Sequence, residues 1–141
     1  MPHQPLWLTR IQSDSMAPGL RDGQLVWTIR PRRGHRPRRG AVVAVDSQEL
    51  ERRIVKRIVG LPGEHLRLEG GQVWVDGHLI AEPHATPSTY RGTFDVPEAH
   101  YFLLGDNRDA SSDSRVWRNP YVARAEIIGL LLRRLPPNGP E

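Results

Sequence analysis

The sequence predicts a mostly β fold. Two observations carry that expectation: short runs rich in Val, Ile and Leu recur between turn residues, and 13 Gly with 13 Pro punctuate the 141 residues too often for long helices. A third is local. Asp76-Gly77 separates Val73-Trp74-Val75 from His78-Leu79-Ile80, and a two-residue Asp-Gly link signals a hairpin because glycine takes the positive φ such a turn demands. A mass of 16.0 kDa fits one domain, with room for at most a small appended lobe.

In chain order, strands are expected at residues 25–29, 41–45, 54–59, 66–68, 73–75, 101–104 and 127–132, each a β-branched or leucine-rich run. Gly60-Leu61-Pro62-Gly63 and Gly70-Gly71 mark further reversals. Residues 30–39 hold six arginines with two prolines and a glycine, which makes them an exposed basic loop. Residues 81–93, broken by Pro83, Pro87 and Gly92, read as a loop or small mobile flap. Residues 136–141 read as a flexible tail, leaving 1–135 as a single domain.

Composition excludes several chemistries. With no cysteine there is no disulfide framework, thiolate zinc site or cysteine nucleophile. His3, His35, His65, His78, His84 and His100 show no ligand spacing, so no metal or other cofactor is expected, and His100 reads as a structural or surface residue. The net charge is only +4; the pI of about 10.3 reflects the fact that 19 of the 20 basic residues are Arg, which does not titrate in the usable range. Nucleic acid is not expected as a partner, because no aromatics interleave the basic run. Contact of Arg30, Arg32, Arg33, Arg36, Arg38 and Arg39 with an anionic membrane surface is the functional alternative to a solvated loop. No run approaches the roughly 18 to 20 apolar residues of a membrane span, and Met1-Pro2-His3-Gln4-Pro5 lacks the pattern of a secretory signal, so the chain as written reads as soluble.

The single lysine stands in an apolar strand. In Ile54-Val55-Lys56-Arg57-Ile58-Val59, alternation puts Ile54, Lys56 and Ile58 on one face and Val55, Arg57 and Val59 on the other. Burial disfavours an ammonium, and a downward shift of roughly two to three units raises the neutral fraction at pH 7 from well under 0.1% to the order of 10%. A guanidinium stays charged, so only the lysine can become a base. Read alone, it is a strand lysine with its head in water. Two serine-rich segments change the balance. Ser13-Asp14-Ser15-Met16-Ala17-Pro18-Gly19-Leu20 sets two hydroxyls just before a Pro-Gly turn, and a long polar loop, residues 105–115, follows the strand at 101–104.

Together these segments resemble the bacterial type I signal peptidases, serine proteases with a Ser/Lys dyad. The resemblance rests on four ordered blocks: Ser13-x-Ser15-Met16-x-Pro18-x-Leu20 with Asp22-Gly23; Arg39-Gly40-Ala41-Val42-Val43; Lys56-Arg57-Ile58-Val59-Gly60-Leu61-Pro62-Gly63-Glu64; and Gly105 through Arg115. It implies coiled antiparallel sheets with a second lobe, reduced here because the stretch at about 76–100 is short. It further implies Ser15 as nucleophile, Lys56 as general base, Ser111 orienting the amine and Ser13 contributing to an oxyanion site, with Asp106, Arg108, Asp113 and Arg115 supporting them. The implied substrate is a leader peptide in extended conformation, cut after small residues in an Ala-x-Ala-like pattern. The implied location is peripheral, on the outer face of the cell membrane.

Three features depart from that family. Its usual amino-terminal anchor is not expected here; Asp14 replaces a small residue and is placed to pair with Lys56 and raise its pKa; and Gly19 stands where a hydroxyl residue is common. The alternatives are a soluble, cytoplasmic maturation protease for one dedicated precursor, and a non-catalytic peptide-binding relative. Against the second, a module without chemistry has no need of Ser15, Lys56 and Ser111 together.

Overall fold

The computed structural model describes residues 5–132, so the tail at 136–141 lies outside the described residues. Eleven strands form two sheets: β1 (Leu6–Arg10), β2 (Leu25–Ile29), β3 (Val42–Ser47), β4 (Arg52–Gly60), β5 (His65–Glu69), β6 (Gln72–Val75), β7 (His78–Leu79), β8 (Gly92–Asp95), β9 (His100–Leu104), β10 (Tyr121–Ala123) and β11 (Ile127–Leu131). The larger sheet runs β1-β2-β11-β3-β4-β9-β10 and the smaller β7-β6-β5-β8, and every pairing is antiparallel. The helical content of the described residues is two single 3-10 turns, Arg108–Ala110 and Arg124–Glu126.

All seven expected strand runs form. Asp76 and Gly77 both take positive φ, 48° and 86°, which gives the tight link between β6 and β7 the twist a hairpin needs. The expected second lobe at about 76–100 takes a different extent. The smaller sheet begins at His65, because β5 pairs with β6 on one side and β8 on the other and so belongs to it. It has no core of its own. Leu66, Leu68, Val73 and Val75 pack against Val59, Phe102 and Leu104 of the larger sheet. Gly60 sits at that junction, where a Cβ would lie 2.6 Å from Leu66 Cδ1 and 2.9 Å from Phe102 Cβ.

The alternation of β4 separates its apolar residues as expected. Ile54 and Ile58 join Val43, Val45, Leu103 and Ile127, while Val55 packs with Met16, Val42 and Ala44, and Val59 faces the smaller sheet. From Ile54 onward β4 is thus covered on both sides, and Lys56 and Arg57 are buried with it, while Arg52 and Arg53 at its start are exposed. Residues 81–91 do form a loop, but not a free flap. Glu82 takes a bidentate pair from Arg108 at 3.1 and 2.6 Å, and Thr86 bonds to the Asp106 carbonyl and the Arg108 N–H. The basic loop is also strutted from below, since the Arg124 guanidinium donates to the carbonyls of His35 and Arg32.

Candidate active site

Three segments distant in sequence meet at one end of a groove. Ser15 lies in the turn after β1, Lys56 in the middle of β4, and Ser111 just past the 3-10 turn that follows β9. Ser15 and Lys56 are almost fully covered, at 6% and 5% exposure. The Lys56 Nζ donates to Ser111 Oγ at 2.9 Å. Ser13 Oγ donates to Ser15 Oγ at 3.2 Å and accepts the Ser15 backbone N–H at 3.3 Å. Among the described residues no hydrogen bond joins Ser15 to Lys56; the Ser15 hydroxyl partners Ser13 instead.

Burial pushes the Lys56 ammonium down from an ordinary 10.5 to about 8; Asp113 opposes that shift, and the charges of Arg52 and Arg115 assist it. At about 8, roughly one lysine in ten is neutral at pH 7. Asp14 has no part in this, contrary to expectation. Its side chain is exposed and its Oδ1 accepts the Asp22 N–H at 3.4 Å, so it braces the turn rather than pairing with the lysine.

The loop at 105–115 holds these groups in place. Asn107 donates its backbone N–H to the Ser15 carbonyl at 2.9 Å and its side-chain amide to the Asp14 carbonyl at 3.1 Å. Asp113, with no exposed surface, accepts the Gly105 N–H at 3.0 Å and pairs with Arg115 at 2.7 Å. Arg115 in turn bonds the carbonyls of Arg108 and Ser111. Arg108 Nε holds the Gly105 carbonyl at 2.8 Å, and Asp106 receives a bidentate pair from Arg57 at 2.8 and 2.6 Å. The four supporting residues named from sequence therefore lie around the loop.

Sequence reasoning gave no role to Arg57, Glu82, Asn107 or Gly105. Gly105 carried a usable signal, a glycine at the exit of an apolar strand. A Cβ there would lie 2.1 Å from Ser111 Oγ and 2.7 Å from the Ser15 carbonyl, so only glycine lets the Ser15 turn and the lysine's partner close together. Glu82 gave none, standing 26 residues from the arginine it holds. Arg39 also differs from expectation: it clasps Glu64 at 2.7 and 2.8 Å and the Val59 carbonyl at 3.0 Å, which removes it from the free basic surface.

From Ser15 and Lys56 the groove extends between β1 and the first half of β4, with a volume of about 560 Å³. Ile11, Met16, Ile54 and Val55 give it an apolar lining. Among the described residues β1 pairs only with β2, and residues 52–56 of β4 pair only with β3, so both walls present a strand edge that no described strand covers.

The model of the family described as signal peptidase, peptidase S26, matches residues 6–134. The chain belongs to this family. Within it, the chain is 35% identical over 136 residues to a probable signal peptidase I-2 of Synechocystis, covering 90% of this chain and 62% of that one. It is 34% identical over 138 residues to signal peptidase I of Leptolyngbya laminosa, covering 90% and 67%, and 30% identical over 118 residues to that of Bacillus licheniformis, covering 74% and 63%. It thus spans about three fifths to two thirds of the length of these signal peptidases. A crystal structure of a signal peptidase I from Enterococcus faecalis V583 superposes with a TM-score of 0.63 at 29% identity, over 70% of this chain and 98% of that one. The mostly β, antiparallel architecture is therefore that of the signal peptidase family. Among the described residues no helix is long and apolar enough to cross a membrane.

Proposed function

We propose that the protein is a serine endopeptidase of the signal peptidase I type, with Ser15 as nucleophile and Lys56 as general base. The observation that carries this is a buried lysine held by a hydroxyl, with no carboxylate salt bridge among the described residues, at the head of a groove that also contains Ser15. A serine hydroxyl is a weak nucleophile until a neighbouring base takes its proton, and a neutral amine suffices. In the reaction Ser15 Oγ bonds to the scissile carbonyl carbon as its proton passes to Lys56 Nζ. The Lys56 ammonium then protonates the departing amine as the peptide C–N bond breaks. Water, activated by the same amine, cleaves the resulting ester. Ser111 fixes the direction of the amine, and the Ser13 hydroxyl and the Ser15 N–H exchange the bonds they make within the Ser13–Ser15 turn for bonds to the developing oxyanion; one such donor is typically worth about 10²–10³ in rate.

The substrate is an extended leader segment of a precursor, lying as an added strand between the two free edges, with small side chains against Ile11, Met16, Ile54 and Val55. Cleavage of a precursor peptide with an Ala-x-Ala sequence is the test. Ser15→Ala and Lys56→Arg should each abolish turnover while leaving the thermal transition in place. Turnover by Lys56→Arg would remove the lysine from the mechanism, since arginine does not deprotonate.

The outer face of the cell membrane is the location the family resemblance implies, and a peripheral position at a membrane is favoured by a separate feature. Leu6 and Leu8 of β1 and Leu25, Trp27 and Ile29 of β2 are all exposed on one face, in the register Leu6↔Ile29 and Leu8↔Trp27. Such a contiguous apolar face marks an interaction site. The basic loop leaves β2 at its edge, and Arg32, Arg33, Arg36 and Arg38 are exposed there. Binding to anionic vesicles should fall steeply with salt and with the triple change Arg32→Gln, Arg33→Gln, Arg36→Gln; salt-insensitive binding would discard the arginine contribution.

A further inference from the structure

The groove between β1 and β4 carries charge of one sign. Arg10, Arg52 and Arg53 line it together with Lys56, and no Asp or Glu among the described residues does, in a chain with 16 acidic residues. The three arginines are not equivalent. Arg53 is paired with Asp46 at 2.9 Å. Arg10 follows Leu6 and Leu8 in the alternation of β1, opposite Leu25, which directs it to the outer apolar face. Arg52 stands two alternations from Lys56 on the same side of β4, with Ile54 between them. It is exposed, and no salt bridge among the described residues engages it. Its field reaches the chemistry, since it is one of the charges acting on the Lys56 ammonium.

A peptide extended along the free edge of residues 52–56 advances about 3.3 Å per residue, as β4 itself does. The peptide residue beside Arg52 therefore lies about four residues from the bond held beside Lys56. We propose that Arg52 makes the groove select substrates with a carboxylate side chain about four residues from the scissile bond, on the arm of the substrate that fills the groove. The selection rests on the peptidase reading above. A guanidinium suits a carboxylate because its fork of N–H donors matches the two oxygens. At this wet end of the groove the pair is worth about a two- to fivefold gain in kcat/KM at low salt, fading as salt screens it.

The test uses paired fluorogenic peptides that differ only by Glu or Gln, placed at each position from three to six residues on either side of the cut. Wild type should prefer Glu about two- to fivefold at one or two adjacent positions, on one arm only. The preference should vanish in Arg52→Gln, turn against Glu in Arg52→Glu and persist in part in Arg52→Lys. Equal rates for every pair in wild type, or a preference that survives Arg52→Gln, overturns the proposal and leaves the peptidase reading intact. If wild type cleaves none of the peptides, that reading fails, and fluorescence anisotropy of the same peptides decides the groove. A Glu preference in binding that disappears in Arg52→Gln upholds the selection, and its absence overturns it.

Discussion

Two arginine-rich regions of this chain use the same side chain in opposite ways. Around the loop at 105–115, Arg57, Arg108 and Arg115 are nearly inaccessible and each grips a carboxylate, Asp106, Glu82 and Asp113 respectively. In the loop at 30–38, Arg32, Arg33, Arg36 and Arg38 stand in solvent. The first group works through geometry, with each fork fixing a backbone turn against another. The second acts through its summed field, which salt weakens. Lys56 belongs to neither: it is as buried as the gripping arginines, yet a hydroxyl takes the place of their carboxylate. Burial drives its ammonium down, and among the described residues no salt bridge of the kind those three arginines make offsets it.

Removing one carboxylate from the buried set is the harshest test of the contrast. Asp106→Ala leaves the Arg57 guanidinium uncompensated in the interior, and should cost about 3–5 kcal/mol in denaturant unfolding. A loss below 1 kcal/mol would mean that water reaches Arg57 and that the loop is held by other contacts. Because Asp106 touches neither Ser15 nor Lys56 among the described contacts, whatever protein remains folded should retain the pH dependence of wild type.

The lysine is read by pH. If the neutral amine is the base, kcat/KM should climb about tenfold per unit below about 8 and level off above it. Stability carries the same signature with a defined sign. The folded-state value lies below the unfolded one, so between about 8 and 10.5 the unfolded chain binds more protons and stability should rise with pH, by on the order of 3 kcal/mol in all. Lys56→Met should remove that rise. A rate profile flat between pH 6 and 9 would deny the lysine its role as base.

The sequence made the candidate site more legible than its scaffold. Lys56 stood out as the one lysine, set in an apolar strand, Ser15 and Ser111 came from the resemblance of ordered blocks, and β2, β3 and β4 stood out as apolar runs. β1 did not, because its pattern is inverted: Leu6 and Leu8 face outward, while Thr9 is buried in a 2.6 Å hydroxyl contact with Thr28. β8 and β10 are too short, at four and three residues, to show any period. The groove could not be foreseen, since one of its walls is that inverted strand. Nor could the hold of Glu82 on Arg108, which depends on how the smaller sheet folds back over the larger.

The mildest change belongs to the exposed loop. Arg33→Gln with Arg36→Gln removes two charges that make no described salt bridge, and surface substitutions of this kind stay within about 0.5 kcal/mol. The loop's path is set elsewhere, by Arg124 reaching up to the His35 and Arg32 carbonyls, so its backbone should keep its course without them. Arg124→Ala separates the two effects: it withdraws the strut and keeps the exposed charges. If the double change destabilises more than Arg124→Ala does, the exposed arginines are structural after all, and the division between gripping and solvated arginines fails at its weaker end.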